Sequence, residues 1–418
     1  MTMTPFTLLL FLGVFLSQVD GREPTSVTGL KLSRVVILHR HGDRSPITPM
    51  ADEAYWASTL PDKQTLEAIE RTTEVVKDSD LNEFLDSSSP RSGMPTESKH
   101  LAKGGPIFGQ LSQLGLFQMI ALGAQLKAEL DETLGLSVEP SDVTVYSTDF
   151  PRTLQSVQGT LMGMFDNAEA PPPVFKVEAS YTQIMIPDPQ PRNSKEQVAL
   201  EKVLTETEEF QMAEESMVPL AKKATSILRA SGLLGQMADS VSFGVGEEKD
   251  VSNAAAAADK PLPWGQLSEV TKCLLVRELL PSSITEEEQK KIMLHSAGRW
   301  FKLLRHPKMA SLAMGPFVRL LMKVVEADDG TPVSIISAHD STLIGAICAL
   351  RLENPSVWPE YASCLKIEVF DAPNGGKFLR ISLNGEVLGS TELEGDLFAV
   401  GEIKRLVFDS AGGSEKEL

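Results

Sequence analysis

Three apolar runs, at residues 34–38, 143–146 and 333–337, each end in a polar turn that carries charge. Each run is short and rich in β-branched residues, the mark of a strand buried on both faces. Between them lie stretches with helical spacing, such as 111–130. Strands that alternate with helices build a parallel sheet, with their carboxyl ends on one side. Open sheets of this kind hold ligands at those ends. A fourth run, at 174–177, extends the set. Residues 365–370 and 378–383 are joined by Asn374-Gly375-Gly376, which predicts an antiparallel hairpin at the sheet's edge.

The turns after these strands carry the chemistry. Arg40-His41-Gly42-Asp43-Arg44-Ser45-Pro46 stands after the first. A guanidinium is a rigid, permanently charged fork that pairs with phosphate oxygens. The imidazole between two of them is a nucleophile that can take a phosphoryl group. Gly42 allows a sharp turn or a close approach, and Pro46 stiffens the exit. Ala338-His339-Asp340-Ser341-Thr342 stands after the last run, and Leu343, Ile344, Ile347 and Leu350 then fall at helical spacing. Asp340 and Ser341 therefore stand at a predicted helix N-terminus, where free N–H groups and the helix dipole favour anions. The run at 143–146 leads into Ser147-Thr148-Asp149-Phe150-Pro151-Arg152, which supplies Arg152 as a third candidate phosphate clamp. Taken singly, these are equally a charged surface loop, a capping aspartate and a surface arginine. Taken together, at the ends of parallel strands, they point to phosphate chemistry.

The three motifs resemble those of the histidine acid phosphatase family. Its Arg-His-Gly-x-Arg-x-Pro stands at residues 40–46, its His-Asp pair at His339-Asp340, and its mid-chain arginine motif at 147–152. Gly109-Gln110-Leu111-Ser112-Gln113-Leu114-Gly115 looks like the family's Gly-Gln-Leu-Thr-x-x-Gly segment, and Tyr361-Ala362-Ser363-Cys364 is similar to a late one. Lys103-Gly104-Gly105 and residues 295–304 look most like the lysophosphatidic acid phosphatase branch, whereas Asp43 looks like the prostatic and lysosomal branch. The resemblance implies an α/β fold with a mostly parallel central sheet flanked by helices, as in phosphoglycerate mutases, and an inserted, mainly helical cap. The expected division is a core at 27–183 and 311–418, with a loop insertion at 47–105, and a cap at 184–310. The implied activity is hydrolysis of phosphate monoesters through a phosphohistidine, without metal or cofactor. His41 is the expected nucleophile and Asp340 the proton donor; Arg40, Arg44, Arg152 and His339 bind the phosphate. A small-molecule monoester is the expected partner, lysophosphatidate among the candidates. The alternatives are a phytase or phosphotransferase of the same superfamily, or a non-catalytic phosphate binder. A binder needs the arginines but has no use for His41 or Asp340.

Charge narrows the partners. With 39 Lys and Arg against 57 Asp and Glu, the formal net charge is −18. That argues against nucleic acid and against anionic membrane surfaces. Residues 6–16 are apolar but fall short of the about 20 residues a membrane span needs. With the small residues around Val19-Asp20-Gly21 they predict a signal peptide over 1–21 and a secretory route, although no Lys or Arg precedes them. The cysteines are Cys273, Cys348 and Cys364; an odd count leaves at least one thiol unpaired, and a Cys273–Cys364 bridge is open. His39 and His41 are two apart, but no carboxylate or cysteine joins them at ligand spacing, so no metal is expected. Tyr55, Trp56, Leu60, Trp300 and Phe301 are candidates to line an apolar channel, with ordinary core packing as the alternative. The sequence does not specify an oligomeric state.

Overall fold

The computed structural model describes residues 29–77, 107–134, 137–165, 173–180, 184–187, 194–235, 238 and 260–408. The expected signal segment at 1–21, the polar stretch 78–99, Lys103-Gly104-Gly105 and residues 244–259 lie outside the described residues.

In chain order the described elements begin with β1 (Lys31–Arg40), α1 (Glu53–Ser58), α2 (Lys63–Glu70), β2 (Thr73–Lys77), α3 (Gln113–Leu134), β3 (Val143–Thr148), α4 (Pro151–Phe165) and β4 (Phe175–Ser180). A helical series comes next: α5 (Lys195–Thr205), α6 (Glu208–Ala230), α7 (Trp264–Val276), α8 (Glu286–Leu304) and α9 (Pro307–Glu326). The chain then returns through β5 (Val333–Ala338) and α10 (Asp340–Ala349) to β6 (Cys364–Asp371), β7 (Lys377–Leu383), β8 (Glu386–Val387), β9 (Phe398–Ala399) and α11 (Val400–Phe408).

The strands form one sheet in the order β2-β4-β3-β5-β1-β6-β7-β8, with β9 against β7. The first five positions are parallel, and β6 and β7 add an antiparallel edge. This is the expected α/β architecture. The alternation of strand side chains accounts for its layers. Val35, Ile37, Val145, Val177, Val333 and Ile335 face one cluster with Met119, Leu126 and Leu161 of α3 and α4. Val36, Leu38, Ile336 and Ala338 face the other, with Phe317, Leu321, Ile344 and Ile347 of α9 and α10. Burying four such side chains on β1 contributes about 1.5–3 kcal/mol each. No described helix is long and apolar enough to cross a membrane.

Two sequence readings change, and one left open is decided. The insertion at 47–105 contains a strand, β2, which pairs with β4 at the sheet's edge. The expected boundary at 310 falls inside α9, which runs unbroken across it and packs on the core. Cys273, Cys348 and Cys364 are all free and buried. Cys273 lies 3.4 Å from the Tyr361 hydroxyl, whereas Cys364 sits in β6 opposite His39.

Candidate active site

The parallel register gathers the three motifs. Arg40 stands opposite Ala338, and Ser147 opposite Ser337, so β1, β5 and β3 end together. The His41 N–H continues the ladder, donating to the Ala338 carbonyl at 3.0 Å. His41 and His339 meet with ring centroids 5.6 Å apart, at a steep interplanar angle of 74°. Arg152 enters from the first turn of α4, where its guanidinium stacks over Phe150 at 4.8 Å and donates to His339 Nδ1 at 3.4 Å. Arg40 pairs with Asp340, and Arg44 lies close enough to act on His41, so all six expected catalytic and phosphate-binding residues share one neighbourhood.

The His41 ring has a defined tautomer. Its Nδ1 is 2.8 Å from the Gly42 carbonyl, which can only accept, so Nδ1 carries the proton and Nε2 keeps its lone pair. Burial first, and then the charges of Arg152, Arg40 and Arg44, hold its pKa well below the ordinary 6.5. Burial and the arginines therefore favour the neutral imidazole. His339 is fixed by the same logic. Arg152 can only donate to its Nδ1, so Nε2–H donates to Thr148 Oγ1 at 3.0 Å.

The loop that carries His41 lies against the start of α3, backbone to backbone. A Cβ on Gly42 would meet the Gly115 carbonyl at 2.3 Å, and one on Gly115 would meet the Asp43 carbonyl at 2.0 Å. No side chain fits at either position. The loop amides are satisfied by α4 and α3: Gly42 N–H donates to Ser156 Oγ at 3.2 Å and Asp43 N–H to Gln118 Oε1 at 2.8 Å. This explains the Gly-Gln-Leu-Ser-x-x-Gly pattern as the seat of the histidine loop.

Each arginine is held from a different side. Arg40 Nη2 pairs with Asp340 Oδ2 at 2.7 Å, and its guanidinium lies 4.2 Å over the Tyr361 ring. Arg44 Nη1 pairs with Glu269 Oε1 at 2.6 Å. Arg152 is lowered to about 9, by burial first and then by repulsion from Arg44, and remains charged at neutral pH. Asp340 Oδ2 also accepts from Trp358 Nε1 at 3.0 Å, and Oδ1 from the Ser341 N–H at 2.8 Å. Burial pushes this carboxyl up, but Arg40, Arg44 and these hydrogen bonds outweigh it, so its pKa lies below the ordinary value.

Sequence reading missed the contribution of α7. Glu269 pairs with Arg44, and Arg277, just past the helix, grips Asp43 with two bonds of 3.2 and 2.6 Å. Asp43 also accepts from Ser112 Oγ at 2.5 Å. The missed residues lie in and just past a largely buried helix with no local motif. The aromatics divide: Arg277 lies 4.8 Å over Trp56, beside the site, while Trp300 and Phe301 are buried in the sheet's main core. Core packing, not channel lining, explains those two. His39 is buried with Nδ1 3.2 Å from the Arg40 carbonyl, and burial lowers it to about 4. No group of three or more His, Cys, Asp or Glu with metal-holding geometry occurs among the described residues.

The comparisons agree with this geometry. The pattern of the histidine phosphatase superfamily (branch 2) matches residues 31–225. Human lysophosphatidic acid phosphatase type 6 is 28% identical over 183 residues, 42% of this chain; the chain spans only 40% of that relative's length. Human prostatic acid phosphatase is 27% identical over 360 residues, covering 82% of this chain and 75% of the relative. In three dimensions, the apo form of Hafnia alvei phytase superposes with a TM-score of 0.59 at 14% identity, over 92% of this chain and 98% of that one. At that identity the superposition speaks for the fold. Residues 31–225 thus carry the pattern of the histidine phosphatase superfamily, branch 2, and the relatives similar to this chain by sequence support the histidine acid phosphatases within it.

Proposed function

We propose that this protein hydrolyses phosphate monoesters through a phosphohistidine on His41. The observation that carries the reading is the His41 ring with Nδ1 engaged by the Gly42 carbonyl, set at the strand ends among Arg40, Arg44, Arg152 and Asp340. In this reading Nε2 attacks phosphorus, forming the N–P bond as the bond to the ester oxygen breaks. The three arginines hold the non-bridging oxygens, where charge is carried through the transition state. Asp340 gives its proton to the departing alcohol and then takes one from the attacking water, returning His41 and inorganic phosphate. His339 orients Arg152 through Nδ1. A pure phosphate binder on the same fold would have no need of a nucleophile held in this tautomer.

Substrate class and route are part of the proposal. Lysophosphatidate is the first candidate, supported by the partial likeness to lysophosphatidic acid phosphatases, and the expected cap at 184–310, from which α7 reaches the histidine loop, acts over the strand ends. A secretory route is supported by relatives that are prostatic and lysosomal acid phosphatases. The test is an acid-labile, base-stable phosphoenzyme trapped during turnover of p-nitrophenyl phosphate at pH 5. His41→Ala should abolish both the adduct and turnover. Turnover above a few per cent in that variant, or no hydrolysis by the parent of any of p-nitrophenyl phosphate, lysophosphatidate, phytate and sugar phosphates, overturns the reading.

A further inference from the structure

Glu269 is a carboxylate placed inside a phosphate clamp. It sits on α7, in the helical insertion, and is only 8% exposed. Its Oε1 accepts from Arg44 Nη1 at 2.6 Å and from the Ile47 N–H at 2.7 Å. Its Oε2 is buried with no hydrogen-bond partner among the described residues. Burying a carboxylate so close to where an anion would bind is costly on both counts. Holding Arg44 in place would not require a charge, since a carboxamide presents the same acceptor oxygen.

The charges around the site suggest what the negative charge does. Arg40, Arg44 and Arg152 bring three positive charges, and Glu269 and Asp340 two negative ones. Asp43 and Arg277 cancel within their own pair, and Lys272 and Glu360 do so at the rim. A phosphate monoester dianion brings two negative charges. A buried site resists net charge. With Glu269 present, the arginines match the dianion when Asp340 is neutral. Without Glu269, they would match the dianion plus an ionised Asp340, which has no proton to give.

We infer that Glu269 is a positioning residue for proton transfer: by cancelling one clamp arginine, it makes a dianionic ligand bind together with a proton on Asp340. The inference rests on the proposed hydrolysis and assigns the control of its acid step. The groups that act on Asp340 are Arg40 from β1, Arg44 from the loop after it, Arg152 from α4, the Ser341 N–H at α10 and Trp358, with His339 next to it in the chain. Glu269 acts on it through Arg44, with Cys273 and Tyr361 beside that pair. Cys273 stays a thiol, since burial pushes it up to about 12. Asp340 is held low in the unliganded protein, and the dianion reverses that balance.

Sulfate is the probe, because it remains a dianion from pH 4 to pH 8 and mimics the monoester. Isothermal titration of the full chain with sulfate at pH 6, in buffers of differing ionisation enthalpy, should show uptake of about one proton per sulfate bound. No uptake overturns the inference, whether or not the protein is a phosphatase. In Glu269→Gln, uptake should fall toward zero and sulfate should bind more tightly at pH 7 than in the parent. The alkaline limb of kcat should move acidward by roughly one pH unit, the scale of one charge acting across a buried site. A uniform loss of kcat with the limb unmoved would mean a merely structural role and sink the idea. If Glu269→Gln does not fold, the proton uptake of the parent chain alone decides. Proton uptake without any hydrolysis would leave the charge coupling standing and remove the proposed function.

Discussion

Asp340 Oδ2 lies 2.7 Å from Arg40 Nη2, joining the start of α10 to the end of β1 across the seam between two parallel strands. The pair ties the proposed proton donor to one of the groups that would hold the phosphate. The same oxygen accepts from Trp358, so its direction is fixed from a third segment. A carboxyl held this way is fixed in direction beside an arginine of the phosphate site.

Replacing Asp340 by Asn should therefore act through the leaving group. With an alkyl phosphate kcat should fall by about 10²–10⁴, the usual contribution of a positioned acid. With an aryl phosphate of low leaving-group pKa the loss should be far smaller. Steady-state rates on the two esters test this; equal losses would remove Asp340 from that role.

His39 should make the fold sensitive to acid. Its folded pKa is about 4, below the ordinary 6.5, because burial opposes the charge. As pH falls through 6.5 the unfolded chain gains a proton that the folded chain refuses until about pH 4. The stability present above 6.5 is lost across that window, by about 3 kcal/mol from this ring. His39→Leu should flatten the decline, whatever it does to stability at pH 7. Urea unfolding of both proteins at pH 7 and pH 4.5 measures the difference in slope, and parallel slopes would contradict the assignment.

Gly115→Ala should damage activity without touching a reactive group. The added Cβ would stand 2.0 Å from the Asp43 carbonyl, so the histidine loop must move. A displacement of this kind can cost on the order of 10²-fold in kcat. Phosphatase assay together with thermal unfolding separates the two effects; full activity would show that the loop tolerates the shift.

Asp43→Asn should destabilise the fold by about 3–5 kcal/mol, because it leaves Arg277 buried without its counter-charge. Arg277→Met should cost a similar amount, and the double variant less than the sum of the two. Chemical denaturation of the four proteins gives the coupling energy, and simple additivity would refute a buried pair that links α7 to the histidine loop.

Much of this architecture was legible in the chain. The apolar runs at 34–38, 143–146 and 333–337 became β1, β3 and β5, and the expected helix at 111–130 became Gln113–Leu134. Strands buried on both faces write themselves as continuous apolar runs, and a parallel sheet brings the turns at their carboxyl ends to one side. That is why His41, Arg152, His339 and Asp340 could be named together. β2 escaped notice because Thr73-Glu74-Val75-Val76-Lys77 is an edge strand, paired on one side only and half polar. Tertiary structure alone decided the partners of the charges. Glu269 reaches Arg44 across 225 positions, and Arg277 reaches Asp43 across 234. Such pairs leave no periodic trace, since each is one residue on a helix whose pattern records only which face is buried. Which carboxylate meets which arginine depends on how α7 packs over the strand ends, and that is set by the whole core rather than by any segment of sequence.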